Sequence, residues 1–214
     1  MDLQSPKITV GLSQINNSFS GANYLPYSVG LLQAYVEKHL PCKERFKFLP
    51  PVFKRTSVED VVNQLLSAEV VGFSLYVWNE QISLEIIRSL KKRNPKAYII
   101  CGGPQVPDRA ESFLRKNPEI DIAVHGEGER TFFELLKIFP SRKINQIPGT
   151  SKITESGAFY SNSRRRFVIL EPQSTSIVLF ITGSVITTFS LFHPIIPLRI
   201  FSCVPLRSPS VINR

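Results

Sequence analysis

The stretch Val70-Val-Gly-Phe-Ser-Leu-Tyr-Val77 is apolar almost throughout, and it decides the fold class. Continuously apolar strands are typical of parallel sheets that helices cover on both faces. Asn79 follows and is placed to cap a helix over Glu80–Arg93, in which isoleucines recur at helical spacing. A second apolar run, Ala97–Cys101, comes next. A strand, a helix and another buried strand predict a parallel βαβ unit.

The same alternation extends on both sides of this unit. The other predicted elements are, in chain order, a strand at 7–13, a helix at 27–40, a strand at 45–49, a helix from Thr56 or Ser57 onward, a helix at 110–116, a strand at 120–124 and a helix at 129–139. Five strands with intervening helices predict a doubly wound, Rossmann-like α/β domain over residues 1–140, with a flavodoxin-like strand order. The third and fourth strands are the most apolar, and we expect them at the centre.

After Pro140 the character of the chain changes. Residues 141–170 are polar, and a short hairpin is predicted around Glu155-Ser-Gly157. Residues 172–198 contain no Asp, Glu, Lys or Arg, and no helical or strand period persists there. The sequence therefore predicts a linker and an irregular, poorly ordered tail over 141–214. Translation out of frame would produce the same loss of charge and periodicity.

The uncharged run also has the length of a membrane span. Its 27 residues, 172–198, are enough to cross a bilayer as a helix. However, Pro194 and Pro197 would break the last turns of that helix, and basic residues flank both of its ends. Membrane insertion is therefore the less favoured interpretation.

Charge and cysteine content restrict the class of protein further. The net charge is +9, but residues 1–140 hold 17 Lys and Arg against 15 Asp and Glu, so the excess lies in the tail. A nucleic-acid partner would need a basic face on the folded domain, and none is indicated. The cysteines Cys42, Cys101 and Cys203 are too scattered for a disulfide scaffold or a zinc site. We therefore expect a reducing, cytoplasmic compartment.

Loops that follow the predicted strands should meet at one edge of the sheet, where open α/β sheets bind their ligands. The candidate binding residues are Ser74, Leu75, Tyr76, Gly102, Gly103, Pro104, Gly126, Glu127 and Gly128. Gly102 and Gly103 either let a bulky ligand approach the backbone or form a tight turn. Gly126 and Gly128 either expose helix N–H groups to a ligand or only begin a helix.

Three further side chains near this edge allow two interpretations each. Tyr76 and Trp78 either wall a pocket or pack in the core, and packing in the core is the commoner role. His125 is either a ligand or a satisfied turn histidine, and the turn is favoured.

Four segments in order resemble one known family. They are Pro26 with Gly30-Leu-Leu-Gln-Ala-Tyr35, Val71-Gly-Phe-Ser-Leu-Tyr-Val-Trp-Asn79, Ile100-Cys-Gly-Gly-Pro104, and Asp121-Ile-Ala-Val-His-Gly-Glu-Gly-Glu129 followed by Phe132–Leu136. Together they are similar to the N-terminal cobalamin (B12)-binding domain of B12-dependent radical SAM enzymes, over roughly residues 7–139. The resemblance implies that the corrin lies against the strand ends and that the candidate residues line it.

Two departures from the family's pattern shape the expected function. Many B12 proteins carry Asp-x-His-x-x-Gly after the first strand, and this histidine binds cobalt. No His or Asp occurs between Gln14 and Gly30, so the chain resembles the subset that lacks this lower ligand. The Cys-x-x-x-Cys-x-x-Cys motif of a radical SAM core is also missing, since Cys203 stands alone.

These features predict a cobalamin-binding module of a B12-dependent radical SAM enzyme, truncated before the catalytic domain. We expect cobalamin as the cofactor, no 4Fe-4S cluster or S-adenosylmethionine site, and no catalysis by this chain alone. No side chain is expected to ligate a metal directly. The expected partner, besides cobalamin, is a separate radical SAM domain or chain. The alternatives are a cofactor-free interaction domain of the same fold and a membrane-anchored α/β domain.

Overall fold

The computed structural model describes residues 7–41, 43–141, 144, 147–163, 178–182 and 185–189. The chain divides into two compact units, Met1–Arg166 and Phe167–Arg214. The elements of the first unit are the strands β1 (Ile8–Ser13), β2 (Ser18–Phe19), β3 (Ala22–Asn23), β4 (Phe46–Phe48), β5 (Val70–Ser74), β6 (Tyr98–Gly102), β7 (Ile122–Val124), β8 (Thr150–Ile153) and β9 (Phe159–Ser161), and the helices α1 (Tyr27–His39), α2 (Val58–Leu65), α3 (Glu80–Arg93), α4 (Glu111–Lys116) and α5 (Gly128–Ile138), with a single 3-10 turn at Lys43–Arg45.

The main sheet has seven strands in the order β4-β1-β5-β6-β7-β8-β9. The first five of these strands run parallel to one another. Their order is the flavodoxin-like one, with the third parallel strand of the chain, β5, at the centre. The predicted doubly wound, five-stranded parallel sheet is therefore confirmed.

Helices cover both faces of the sheet, as the apolar strands require. Helices α1 and α5 pack on one face, where Val29 and Phe132 meet strand residues such as Leu12. Helices α2, α3 and α4 pack on the other face, where Leu65 and Leu90 are fully buried. Side chains along each strand alternate between the two cores, because successive residues of a strand point to opposite faces.

The central strand is shorter than the sequence predicts. It ends at Ser74, residues 75 and 76 lie outside the strand, and residues 77–79 form a turn instead. The reason is Asn79, whose Oδ1 accepts a hydrogen bond from the Tyr76 backbone N–H at 2.8 Å while its Nδ2 donates to the Ser74 carbonyl at 3.1 Å. Asn79 occupies the predicted N-cap position of α3 but makes no side-chain bond to that helix. Its amide stabilises the turn.

Helix α2 begins as predicted, with Ser57 as its N-cap. The Ser57 hydroxyl accepts a hydrogen bond from the Asp60 backbone N–H at 3.1 Å, which satisfies one of the free N–H groups at the start of the helix.

The predicted hairpin around Glu155–Gly157 is confirmed as the turn between β8 and β9. Strand β8 pairs antiparallel with β7, so this hairpin extends the parallel sheet. The first compact unit consequently continues past Pro140 to Arg166, and residues 150–161 of the predicted linker belong to it.

The described part of the second unit is one antiparallel hairpin, formed by β10 (Val178–Thr182) and β11 (Val185–Phe189). The rest of the predicted irregular tail lies outside the described residues. Within the described part of the chain, no helix combines the length and the apolar character needed to cross a membrane.

Candidate ligand-binding site

A cleft of about 440 Å³ lies at the carboxyl ends of β5, β6 and β7, on the face covered by α1 and α5. Small residues form its floor, α1 and Tyr76 form one wall, and the start of α5 forms the other. The lining residues are Ser28, Leu32, Gly72, Phe73, Ser74, Tyr76, Ile100, Gly102, Gly103, Pro104, Val106, Asp108, Val124, His125, Gly126, Glu127, Gly128, Glu129 and Phe132. The volume is that of a pocket for a drug-sized ligand.

The cleft brings together eight of the nine predicted binding residues, all except Leu75. The Leu75 side chain is fully buried in the core on the opposite face of the sheet. Its backbone still shapes the site, because its N–H donates to the Gly102 carbonyl at 2.7 Å and its carbonyl accepts from Gln105 at 3.2 Å. Leu75 thus holds the floor in place from below.

Two residues on the floor of the cleft, Ser74 and Gly102, have features that no contact within the described protein uses. Ser74 is only 7% exposed, and its hydroxyl has no hydrogen-bond partner within the described residues. A Cβ built on Gly102 would meet only Val124 at ordinary contact distance, 3.6 Å. A hydroxyl that lines the cleft and bonds no protein atom is available to donate to or accept from a ligand. Both observations fit a floor that contacts a ligand.

Gly103 has a different role from its neighbour. Its φ of 101° is one that residues with a side chain rarely adopt, and a Cβ there would lie 2.5 Å from the Leu75 carbonyl oxygen. The structure therefore supports the tight-turn interpretation for Gly103. Gly126 also has a positive φ, 75°, but a Cβ there would meet no atom within 4 Å, so the space around it is open.

The wall on the α1 side is built from paired side chains. The Tyr76 hydroxyl is hydrogen bonded to the Ser28 hydroxyl at the start of α1. Trp78 stacks on the Tyr76 ring, with the ring centroids 4.5 Å apart and the planes 11° from parallel. Trp78 is 43% exposed, so the core interpretation of this pair is wrong. Tyr76 lines the cleft, and Trp78 stacks on its ring from outside the lining.

The loop after β1 is held in place by amide side chains. The Gln14 Oε1 atom accepts from the Ser28 backbone N–H at 3.0 Å and so caps α1. The Asn16 Nδ2 atom donates to the carbonyls of Tyr24 and Leu25, each at 3.1 Å. These bonds hold β2 and β3 as a small hairpin at the same edge of the sheet.

Charged groups gather on the α5 side of the cleft. Asp108, Glu127 and Glu129 line it there, and no Lys or Arg is among the lining residues. The His125 Nε2 atom pairs with the Ser151 hydroxyl at 2.8 Å, and the His125 backbone N–H donates to Gly149, as a turn histidine would. Sequence reasoning missed Asp108 and Ser28, which carry no motif and reach the cleft only through the fold.

Metal-binding side chains do not form a cluster in the described residues. Cys101 lies in the strand beside the cleft but is fully buried, and burial raises the pKa of its thiol far above the usual range. The thiol therefore stays protonated and is a poor ligand for a metal.

The fold and the cleft define a class, a doubly wound α/β domain with a ligand site at the carboxyl ends of its parallel strands. The chain belongs to the B12-binding domain family. Its residues 8–136, more than half of the chain, match the family described as the B12 binding domain. The resemblance seen in the sequence is thereby confirmed.

The curated relatives of the chain include larger enzymes. The chain is 34% identical over 138 residues to the cobalamin-dependent radical SAM methyltransferase TokK of Streptomyces tokunonensis, covering 62% of the chain and 20% of that protein. It is 35% identical over 138 residues, with the same coverage, to a 2-(S-pantetheinyl)-carbapenam-3-carboxylate methyltransferase of Streptantibioticus cattleyicolor. The chain thus spans about a fifth of the length of these relatives.

Solved structures show the same fold. The cobalamin-dependent S-adenosylmethionine radical enzyme OxsB, with aqua-cobalamin and S-adenosylmethionine bound, superposes with a TM-score of 0.60 at 21% identity, over 75% of this chain and 23% of that one. The radical methyltransferase TsrM of Kitasatospora setae, with cobalamin and a [4Fe-4S] cluster bound, gives 0.57 at 19% identity, over 79% of this chain and 31% of that one.

Proposed function

We propose that this chain is a cobalamin-binding module, with the ligand held at the cleft and no side chain of the chain bound to cobalt. The observation that carries the proposal is the floor of the cleft, where the Ser74 hydroxyl has no hydrogen-bond partner within the described residues and a Cβ on Gly102 would meet only Val124. Family membership supplies the identity of the ligand. When bound, cobalamin supplies a redox-active cobalt that can carry groups between substrates.

The size of the cleft indicates how much of the ligand it holds. A cleft of about 440 Å³ suits a drug-sized group, whereas a complete corrinoid is several times larger. We therefore assign the interior to the nucleotide base, displaced from cobalt, and the mouth of the cleft to the macrocycle. Ile100, Val124 and Phe132 give the interior the apolar lining that a flat aromatic base needs.

The loop after β1 supports the absence of a lower ligand from the protein. Gln14 and Asn16 have the only buried side-chain amides of this loop, and both are engaged in holding the backbone. An amide that caps α1 is not available as a base for cobalt. The cobalt face that a histidine covers in other B12 proteins is left open in this proposal.

The chain does not act alone in this proposal. A radical SAM domain, supplied by another segment or another chain, would hold the iron–sulfur cluster and S-adenosylmethionine and would perform catalysis in a reducing, cytoplasmic compartment. Apolar side chains are exposed at the same edge of the sheet, among them Phe19, Leu25 and Val77, at 70%, 68% and 76%. We assign these exposed side chains to the surface that would meet the radical SAM domain.

Titration with hydroxocobalamin tests the proposal. We expect a shift of its visible absorption toward the form with the base displaced, and retention of the coloured ligand by the protein on a desalting column. Gly102→Leu fills the floor, and its Cβ meets Val124 only at ordinary contact distance, so it should weaken binding at least tenfold. Gly30→Ala, an exposed helix position away from the cleft, is the matched control and should bind as the unmodified chain does.

Two results would contradict the proposal. No spectral shift and no retained ligand at high protein concentration would leave the cofactor-free interaction domain as the function. Equal binding by Gly102→Leu, with an unchanged circular dichroism spectrum, would move the site away from this cleft.

A further inference from the structure

The mouth of the cleft has two chemically different sides. On the side of α5 and the loop before α4, it carries the carboxylates Asp108, Glu127 and Glu129. On the side of α1, the lining residues Ser28, Leu32 and Tyr76 are uncharged. The lining contains no Lys or Arg, and Glu127 and Glu129 make no ion pair within the described residues.

The acidic side is not explained by helix capping alone. Carboxylates near the start of a helix are stabilised by its dipole, and Glu127 and Glu129 stand at that position in α5. Yet the Glu127 side chain makes no capping hydrogen bond, so its oxygen atoms do not serve the helix ends directly. Both side chains line the cleft instead.

A second observation, independent of the carboxylates, marks the same cleft as a ligand site. Ser74 on the floor is more than nine-tenths buried at 7% exposure, and its hydroxyl has no partner in the described part of the chain. The acidic side therefore lies at the entrance of a cleft whose floor carries a hydroxyl that bonds no described protein atom.

We propose that the acidic side of the mouth, here called the acidic rim, makes the site selective for corrinoids whose peripheral side chains are neutral carboxamides. The acidic rim would reject corrinoids that carry carboxylates at the same positions. This inference rests on the proposed function, because it concerns which corrinoid the site takes. A carboxamide has two N–H donors, and an ionised carboxylate accepts hydrogen bonds only, so the two are complementary. A ligand carboxylate offers no donor and repels the acidic rim.

The test compares ligands that differ in one group. Cobalamin and its monocarboxylic acids, each with one peripheral carboxamide hydrolysed, share the same macrocycle, nucleotide and phosphate. Affinities are measured by equilibrium dialysis at pH 7 and low salt. We expect at least one monocarboxylic acid isomer to bind about threefold to tenfold more weakly than cobalamin, with a smaller difference in high salt.

Variants assign the selectivity to the acidic rim. Glu127→Gln and Glu129→Gln, singly and together, should bring the affinities for the amide and the acid to within about twofold of each other. Glu80→Gln removes the same charge from the first turn of α3, at the same edge of the sheet but outside the lining, and should leave the ratio unchanged.

The outcomes separate this inference from the proposed function. If cobalamin itself does not bind, the proposed function fails and the inference fails with it. If cobalamin binds and every monocarboxylic acid isomer binds equally well, the inference alone is overturned. A ratio that persists in the double variant, with its circular dichroism unchanged, also overturns the role of the acidic rim.

Discussion

At the carboxyl ends of the parallel strands, the two faces of the sheet carry different side chains. Toward α2 and α3, the positions at and just after the ends of the central strands carry buried apolar side chains, including Phe73, Leu75 and Cys101, which fill the core. Toward α1 and α5, the neighbouring positions are Gly72, Ser74 and Gly102, and a cleft opens. Because adjacent residues of a strand face opposite ways, one strand sequence both closes one face and opens the other. The cleft arises from side chains that are small on one face only.

The largest test of this difference is Leu75→Ala. Leu75 is fully buried on the closed face, so its truncation should lower the free energy of unfolding by about 3–5 kcal/mol. Ser74→Ala, one residue earlier on the open face, removes a hydroxyl that bonds nothing in the described protein and should change stability by less than about 1 kcal/mol. Urea unfolding followed by circular dichroism measures both. Similar losses for the two variants would contradict the distinction between the faces.

The two adjacent glycines give a second test at the end of β6. Gly103→Ala places a Cβ against the Leu75 backbone at a φ of 101°, so it should cost about 2–3 kcal/mol. Gly102→Ala meets only Val124 at 3.6 Å and should cost less than about 1 kcal/mol. Thermal unfolding of both variants provides the comparison. A Gly103→Ala protein as stable as Gly102→Ala would show that the turn is not tight.

The smallest expected effect is a dependence on pH that comes from Cys101 on the closed face. Its thiol pKa is raised by burial, so above the ordinary cysteine pKa the unfolded chain loses a proton that the folded chain keeps. Stability should therefore fall as pH rises, by about 1.4 kcal/mol between neutral pH and pH 9.5. Cys101→Ala should lack this part of the decline, and an identical decline in both proteins would argue against burial of the thiol.

The fold was predictable because its signals are local. The apolar run from Val70 and the capped helix Glu80–Arg93 specify a parallel sheet without knowledge of any distant contact. The end of β5 was not predictable, because Asn79 reaches back to Ser74 and across to Ile15, which lies 64 residues away along the chain. Propensity alone extends the strand to Val77, and a side-chain hydrogen bond ends it.

The candidate site was predictable only where the strand ends themselves form it. Ser74 and Gly102 follow directly from the position of the strand ends, and the cleft contains both. Ser28 and Asp108 lie on other elements, and only packing brings them to the same cavity. The separate roles of Gly102 and Gly103 also required coordinates, because the two differ in φ and in the distance to the Leu75 backbone.

The stacked pair of Tyr76 and Trp78 gives the protein an optical property of its own. Trp78 is the single tryptophan of the chain, and it lies on the ring of Tyr76, which walls the cleft. All of the indole emission therefore originates beside the ligand site. Corrinoids absorb in the region where a partly exposed indole emits, so a bound corrinoid would quench this emission by energy transfer. Occupancy of the cleft becomes readable in the unlabelled protein, at concentrations too low for its colour to be seen.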